Sequence, residues 1–239
     1  MVQGLIDRYG NAHVNPPQVL YVDRDCCSQG GMMGKFRASW PDLQVRLDIW
    51  HFLRRIASAV NTEAHPLYAP FMQDLSRAIY MFDRGDVEAL RSAKQSEAEE
   101  KQIPVDQVIT RRELKLHCRT RTRGEETTDQ LITEVLQEYT MPTATDLYGA
   151  PLLDDSRIWG VWVLDQRRHI GCIQDPPGVQ LFTVTGQSSK GGVQLQKYRC
   201  ARGSVSVESF HCHLKNFIPG MVSLFFYLLE GCWYKTVIL

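Results

Sequence analysis

Net charge, long apolar runs and closely spaced cysteine pairs are all missing from this sequence. Its 27 basic side chains are balanced by 27 acidic ones over 239 residues. Bulk attraction to nucleic acid is thereby excluded, and only local basic patches are left to carry such a role. The longest apolar run, Met221 to Leu229, falls well short of the ~20 residues that a spanning helix needs. The opening MVQGLIDRYGNAHVNPP has no basic stretch followed by an apolar one, as a secretory signal would. Together these absences predict a soluble, intracellular protein with no membrane partner.

The seven cysteines, at 26, 27, 118, 172, 200, 212 and 232, contain no Cys-x(2–4)-Cys pair. No zinc ribbon or finger is expected, and no structural zinc. If Cys26 and Cys27 continued a strand they would face opposite sides, which suits neither a shared metal nor a mutual disulfide. Buried free thiols of a reducing compartment are the expectation. A zinc site from Cys200, His211, Cys212 and His213 is the weaker alternative, because its spacing matches no usual template. A phosphate loop is excluded as well. Gly34-Lys35 is followed by Phe36 rather than Ser or Thr, and Gln29 stands where the first glycine belongs.

What the sequence does contain is a short apolar run, Val19 to Val22, that follows Pro16-Pro17 and leads straight into Asp23. It predicts a buried strand delivering a carboxylate. Val45, Leu47 and Ile49 alternate with Arg46 and Asp48 as in a second strand. Trp50, Leu53, Ile56, Ala57 and Val60 then fall at helical spacing. Asp48-Ile49-Trp50-His51 therefore lies at a strand-to-helix junction, where α/β proteins place ligand groups.

From Pro66 to Tyr139 the pattern is helical. Leu67, Phe71, Leu75, Ala78 and Phe82 form one apolar stripe, and Leu131, Ile132, Val135, Leu136 and Tyr139 another. The charged stretch Asp86 to Lys101 between them implies an exposed surface. In KLHCRTRTR, Lys115, His117, Arg119, Arg121 and Arg123 occupy alternate positions. An extended segment would put them on one face, suited to phosphate contacts, although a solvated basic loop explains them too. PTATDLYGAPLLDD reads as a loop and SRIWGVWVLDQRRHI as a helix. GVQLFTVTG and GVQLQKYRC read as strands joined by QSSKGG. Lys197, Arg199 and Arg202 lead into a helix beginning near Ser206, which brings Glu208, His211 and Cys212 within a turn of one another. A carboxylate beside phosphate-binding cations suits metal-assisted phosphodiester chemistry; a surface helix with a first-turn glutamate explains it equally.

The segments YVDRDCC, VRLDIWHFLRRIASAVNTEAHPLYAPFMQDLSRAIY, CIQDPPGVQLFTVTG and YRCARGSVSVESFHCHLKNFIPG resemble uncharacterised transposon-derived proteins of animal genomes. Those in turn resemble DDE-type transposases of Mutator-like arrangement. The resemblance spans about Pro17 to Gly231. It implies an α/β fold (α+β by content), a partial RNase H-like core interrupted by a mainly helical insertion. The expected divisions are 1–60 for the first part of the core, 61–150 for the insertion and 151–239 for the remainder with an altered tail.

By the same resemblance, Asp23 corresponds to the second catalytic acid, with Asp25 as its alternate, and Glu208 to the terminal glutamate. These two would hold Mg²⁺ or Mn²⁺ in an active enzyme. Asp48, His51 and His211 would support them, and Lys115, Arg119, Arg121, Arg123, Lys197, Arg199 and Arg202 would contact DNA. Only Asp7 precedes Val19, with no strand before it, so the first strands and first acid of such a core are expected to be missing. An exposed sheet edge and marginal folding would follow. The expected protein is thus a transposase-derived DNA binder with an incomplete metal site and no catalytic activity. The resemblance implies a nuclear protein, cytoplasmic otherwise, that forms a homo-oligomer. A non-enzymatic helical interaction module is the alternative, as is an active nuclease if the missing acid lies upstream.

Overall fold

The computed structural model describes residues 2–27, 30–203 and 237–238. In chain order its elements are helix α1 (Val2–Asn11), strand β1 (Val19–Val22), α2 (Met32–Phe36), β2 (Gln44–Leu47), α3 (Ile49–Ala57), α4 (Tyr68–Ile79), β3 (Tyr80–Phe82) and α5 (Arg84–Lys101). There follow α6 (Val105–Val108), α7 (Arg111–His117), β4 (Thr120–Thr122), α8 (Glu125–Tyr139), α9 (Asp155–Val161), β5 (Phe182–Lys190), β6 (Val193–Cys200) and β7 (Val237–Ile238). This is a mixed α+β architecture of many helices and three small sheets.

Strand β1 is buried along its whole length. It pairs in parallel with β2, Val22 opposite Leu47, and antiparallel with β7 on its other side. Its side chains alternate, as a pleated strand requires. Leu20 and Val22 enter the main core, whereas Val19 and Tyr21 pack against Val179 on the opposite face. Phe52 and Ile56 of α3, Phe71 and Leu75 of α4, Ile132 and Leu136 of α8, and Ile158 and Trp162 all share that main core. Helices α4 and α8 thus close over the β1–β2 sheet.

Several elements depart from the sequence pattern. In α3 the buried face is Ile49, Phe52, Ile56 and Ala57, while Trp50 is 54% exposed. The helix begins at Ile49, which turns Trp50 outward to stack edge-on against His51 with a centroid separation of 4.8 Å. Phe82 leaves the α4 stripe because β3 intervenes. This strand pairs antiparallel with β4, Met81 opposite Arg121. The charged helix α5 is not simply an exposed surface. Leu90, Ala93, Lys94 and Ala98 are buried in it, and Leu90 and Ala93 share a second apolar cluster with Cys118 and with Leu195 of β6. Lys94 tolerates burial because Glu97 and Glu113 lie 2.5 and 3.0 Å from its ammonium.

Strand β5 lies further along the chain than the sequence pattern suggests: Gly178 to Leu181 precede it, and Ser188, Ser189 and Lys190 belong to it. Only Gly191 and Gly192 form the loop, with φ of 52° and 76°, the left-handed pair a two-residue hairpin turn needs. Gly191 also lies so close to α5 that a Cβ there would be 2.6 Å from the Ala93 carbonyl oxygen. SRIWGVWVLDQRRHI is helical but irregular: after α9 the chain forms a π turn over Trp162–Gln166 and then 3-10 turns over Arg167–His169 and Gly171–Ile173. No helix among the described residues is long and apolar enough to cross a membrane. The helix expected from Ser206 onward lies outside the described residues, and with it Glu208, His211, Cys212 and His213.

Candidate functional site at the end of strand β1

Two polar clusters meet where β1 ends. In the first, the parallel register of β1 and β2 sets Asp23 and Asp48 side by side, each directly after its strand. Asp48 is buried, 2% exposed, and caps α3: its Oδ1 accepts the backbone N–H groups of Trp50 at 2.8 Å and His51 at 3.2 Å. These are amides that the first helical turn leaves without an internal partner. His51 follows on that turn, and its Nδ1 stands 3.3 Å from Asp23 Oδ1 and 3.4 Å from Asp48 Oδ1. The imidazole nitrogen thus lies within ion-pair distance of both carboxylates, without hydrogen-bond geometry to either. The Arg55 guanidinium donates to the Asp23 carbonyl oxygen, which fixes the backbone at the strand end. Gly203, with φ of 80°, passes directly over this corner; a Cβ on it would lie 2.9 Å from Asp48 Oδ2.

Asp25, the alternate acid, belongs to the turn beyond the strand and has φ of 60°. Because β1 stops at Val22, Asp23 is the residue that directly follows it. A magnesium pair in the style of DDE enzymes needs carboxylates free to bind metal. Asp48 Oδ1 is taken up by two amides of α3, Asp23 lies at ion-pair distance from the imidazole, and Glu208 lies outside the described residues.

The second cluster overturns the expected divergence of Cys26 and Cys27. The chain turns through the left-handed Asp25 before reaching them, so strand alternation no longer applies. Their Sγ atoms converge to 3.5 Å, and both face His169 Nδ1, at 3.3 Å from Cys26 and 3.1 Å from Cys27. Cys172 completes the group: the four ligand atoms all lie within 4.8 Å of one another. Two of them come from the 3-10 turns, where residues three apart eclipse, and that stacks His169 over Cys172. Hydrogen bonds from Cys26, then from Cys27 and His169, pull the Cys172 thiol down to about 6 against the opposing effect of burial. The Cys26 thiol is pushed up by its hydrogen bond to Cys172 and by burial. Beside the cluster, Arg24, Asp25, Cys27, Arg55, Asp165, Arg168 and His169 line a cleft of about 420 Å³. The sequence signal for this group is His169-x-x-Cys172 set against adjacent cysteines. A count of Cys-x(2–4)-Cys pairs passes over it.

The basic residues are scattered. Lys115 is exposed on α7, so the expected single face from Lys115 to Arg123 is not formed. Arg119 makes a bidentate pair with Asp86 at 2.8 and 3.0 Å and lies over the Tyr198 ring. Arg123 donates from Nε to the Arg77 carbonyl oxygen. Arg202 is an internal brace, with a side chain only 7% exposed. It makes a bidentate pair with Asp175 at 2.7 Å and donates to the Thr120 carbonyl oxygen. Asp175 also accepts the Thr122 amide, so the pair locks β4 to the chain leaving β6. Arg121 on β4 and Arg199 on β6 are exposed, and Lys197 is half-buried. Cys200 is exposed on β6 and lies apart from the thiol cluster. Comparison with models of protein families, with curated proteins and with solved structures finds no match for this chain.

Proposed function

We propose that this chain is a DNA-binding protein derived from a DDE-type transposase, with a carboxylate corner that does not support strand transfer. The observation that favours this reading is the convergence of Asp23, Asp48, His51 and Gly203 at the carboxyl ends of two adjacent parallel strands. That is the position in which a transposase core holds its acids, and the chain crosses it shortly before Glu208. The engagement of Asp48 as a helix cap favours a structural role for that carboxylate over a catalytic one. Lys115, Arg121, Lys197 and Arg199 remain as phosphate contacts, since Arg119, Arg123 and Arg202 are held by Asp86, the Arg77 carbonyl oxygen and Asp175. The same reading implies a nuclear protein that assembles with copies of itself.

Titration of duplex DNA against salt tests it. Affinity is expected to fall steeply with salt, with a log–log slope of roughly 0.9 for each phosphate neutralised, and replacing Arg121 and Arg199 by Ala should reduce that slope. Nicking in Mg²⁺ or Mn²⁺ is expected to be no greater than that of a Glu208→Ala control. Absence of DNA binding at low salt would favour the helical interaction module instead. Nicking that depends on Glu208 would favour an active nuclease.

A further inference from the structure

We propose that Cys26, Cys27, His169 and Cys172 form a tetrahedral zinc site that pins the end of β1 to the 3-10 turns over 167–173. The inference stands on the cluster's geometry and is independent of the DNA-binding reading.

A tetrahedral ion with Zn–S bonds of ~2.3 Å and Zn–N bonds of ~2.0–2.1 Å spaces its ligand atoms roughly 3.4–3.8 Å apart. The separations of 3.5, 3.3 and 3.1 Å around Cys26, Cys27 and His169 lie close to that spacing. A disulfide is a different geometry, at about 2.05 Å between sulfurs. The donor set also selects the metal. Three sulfurs and one imidazole nitrogen in a closed tetrahedral group suit zinc at a structural site, with no position left for a substrate.

Zinc binding requires a change of tautomer at His169. Arg168 Nε donates to His169 Nε2 at 3.3 Å, which leaves the proton on Nδ1, facing the sulfurs. With zinc on Nδ1 the proton moves to Nε2, so the Arg168 guanidinium must swing away from that nitrogen, and Asp165 Oδ1, now 3.9 Å off, must close in to accept the proton's hydrogen bond. Three thiolates and one Zn²⁺ sum to a charge of about −1, and the guanidinium groups of Arg24, Arg55 and Arg168 line the adjoining cleft. Binding releases the thiol protons to solvent, so it strengthens as pH rises.

The test is metal analysis of the full chain purified under reducing conditions. About one zinc per chain is expected, lost in Cys172→Ser and in His169→Ala. Cys118→Ser should retain it, because Cys118 is buried in the separate α5–β6 cluster. With zinc bound, Cys26, Cys27 and Cys172 should resist alkylation until a chelator is added, as read by peptide mass. Should the variants fail to fold, Co²⁺ added to the unaltered metal-free chain decides the matter: thiolate-to-cobalt charge transfer and strong visible bands of tetrahedral cobalt are expected. Lack of those bands, zinc well below one per chain, alkylation indifferent to chelator, or a Cys26–Cys27 disulfide in the reduced preparation would each overturn the proposal.

Discussion

The two clusters at the end of β1 are neighbours in sequence and opposites in how their polar groups are satisfied. Asp48 finds protein partners in two backbone amides and the close-packed backbone of Gly203, with the His51 ring between it and Asp23. Cys26, Cys27 and Cys172 find mainly one another and His169. A carboxylate that caps a helix, as the buried Asp48 does, needs no ion to stay buried. Thiols are weak hydrogen-bond donors, and several of them crowded together gain far more from a cation than from each other. The difference teaches that the acidic corner owes its order to the fold, while the thiol cluster supplies order to it once metal is bound.

Chelation is the strongest way to break this contrast. A metal held at a thousandfold excess over its Kd contributes about 4 kcal/mol, which for a chain of this length is about 8–16 °C of melting temperature. Calorimetry with and without chelator should show a drop of that order; an unchanged melt would make the thiols as self-sufficient as the carboxylates.

Next in size is Asp175→Ala. It leaves the buried Arg202 guanidinium without its bidentate partner and should cost about 3 kcal/mol in urea unfolding. A smaller loss would mean that the Thr120 contacts alone can hold the cation. Asp48→Ala removes a cap that serves two amides and should cost about 1–2 kcal/mol, with Asp48→Asn retaining at least half of that. Equal losses for Ala and Asn would show that charge opposite His51, rather than capping, is what Asp48 contributes. The smallest effect is expected for Asp23→Asn. Its contact with His51 is half-buried and lacks hydrogen-bond geometry, and stability should change by less than about 1 kcal/mol, with zinc content unaltered. A large loss would place Asp23 among the thiol ligands' supports and blur the boundary between the two clusters.

Features governed by local chemistry were legible in the sequence. Val19 to Val22 announces a buried strand, Asp48 stands at the strand-to-helix junction, and the stretch ending in Gly191-Gly192 signals a hairpin. Each depends on residues within one turn of itself. Features created by long-range convergence were not. The meeting of Cys26 and Cys27 with His169 depends on a left-handed residue at Asp25 and on 3-10 turns far along the chain. Three-residue strands such as β3 and β4 carry too little periodicity to separate from helix ends. The burial of Ala93 and Lys94 becomes visible only when the hairpin turn is seen against α5. Arg202 looked like one more phosphate contact because nothing near it in sequence reveals Asp175.

The pairing of β1 on both sides also sets a timetable. Its parallel neighbour β2 follows soon after it, but the antiparallel partner of Leu20 is Ile238. A ribosome adding ~5–20 residues per second delivers Cys172 several seconds before β7. During that interval the side of β1 that later takes β7 is open, and pairings between such distant strands are intrinsically slow to form. Closing the cysteine and histidine cluster in that window would hold the strand in register while it waits, so the time of greatest exposure to misassembly is also the time when zinc supply matters most.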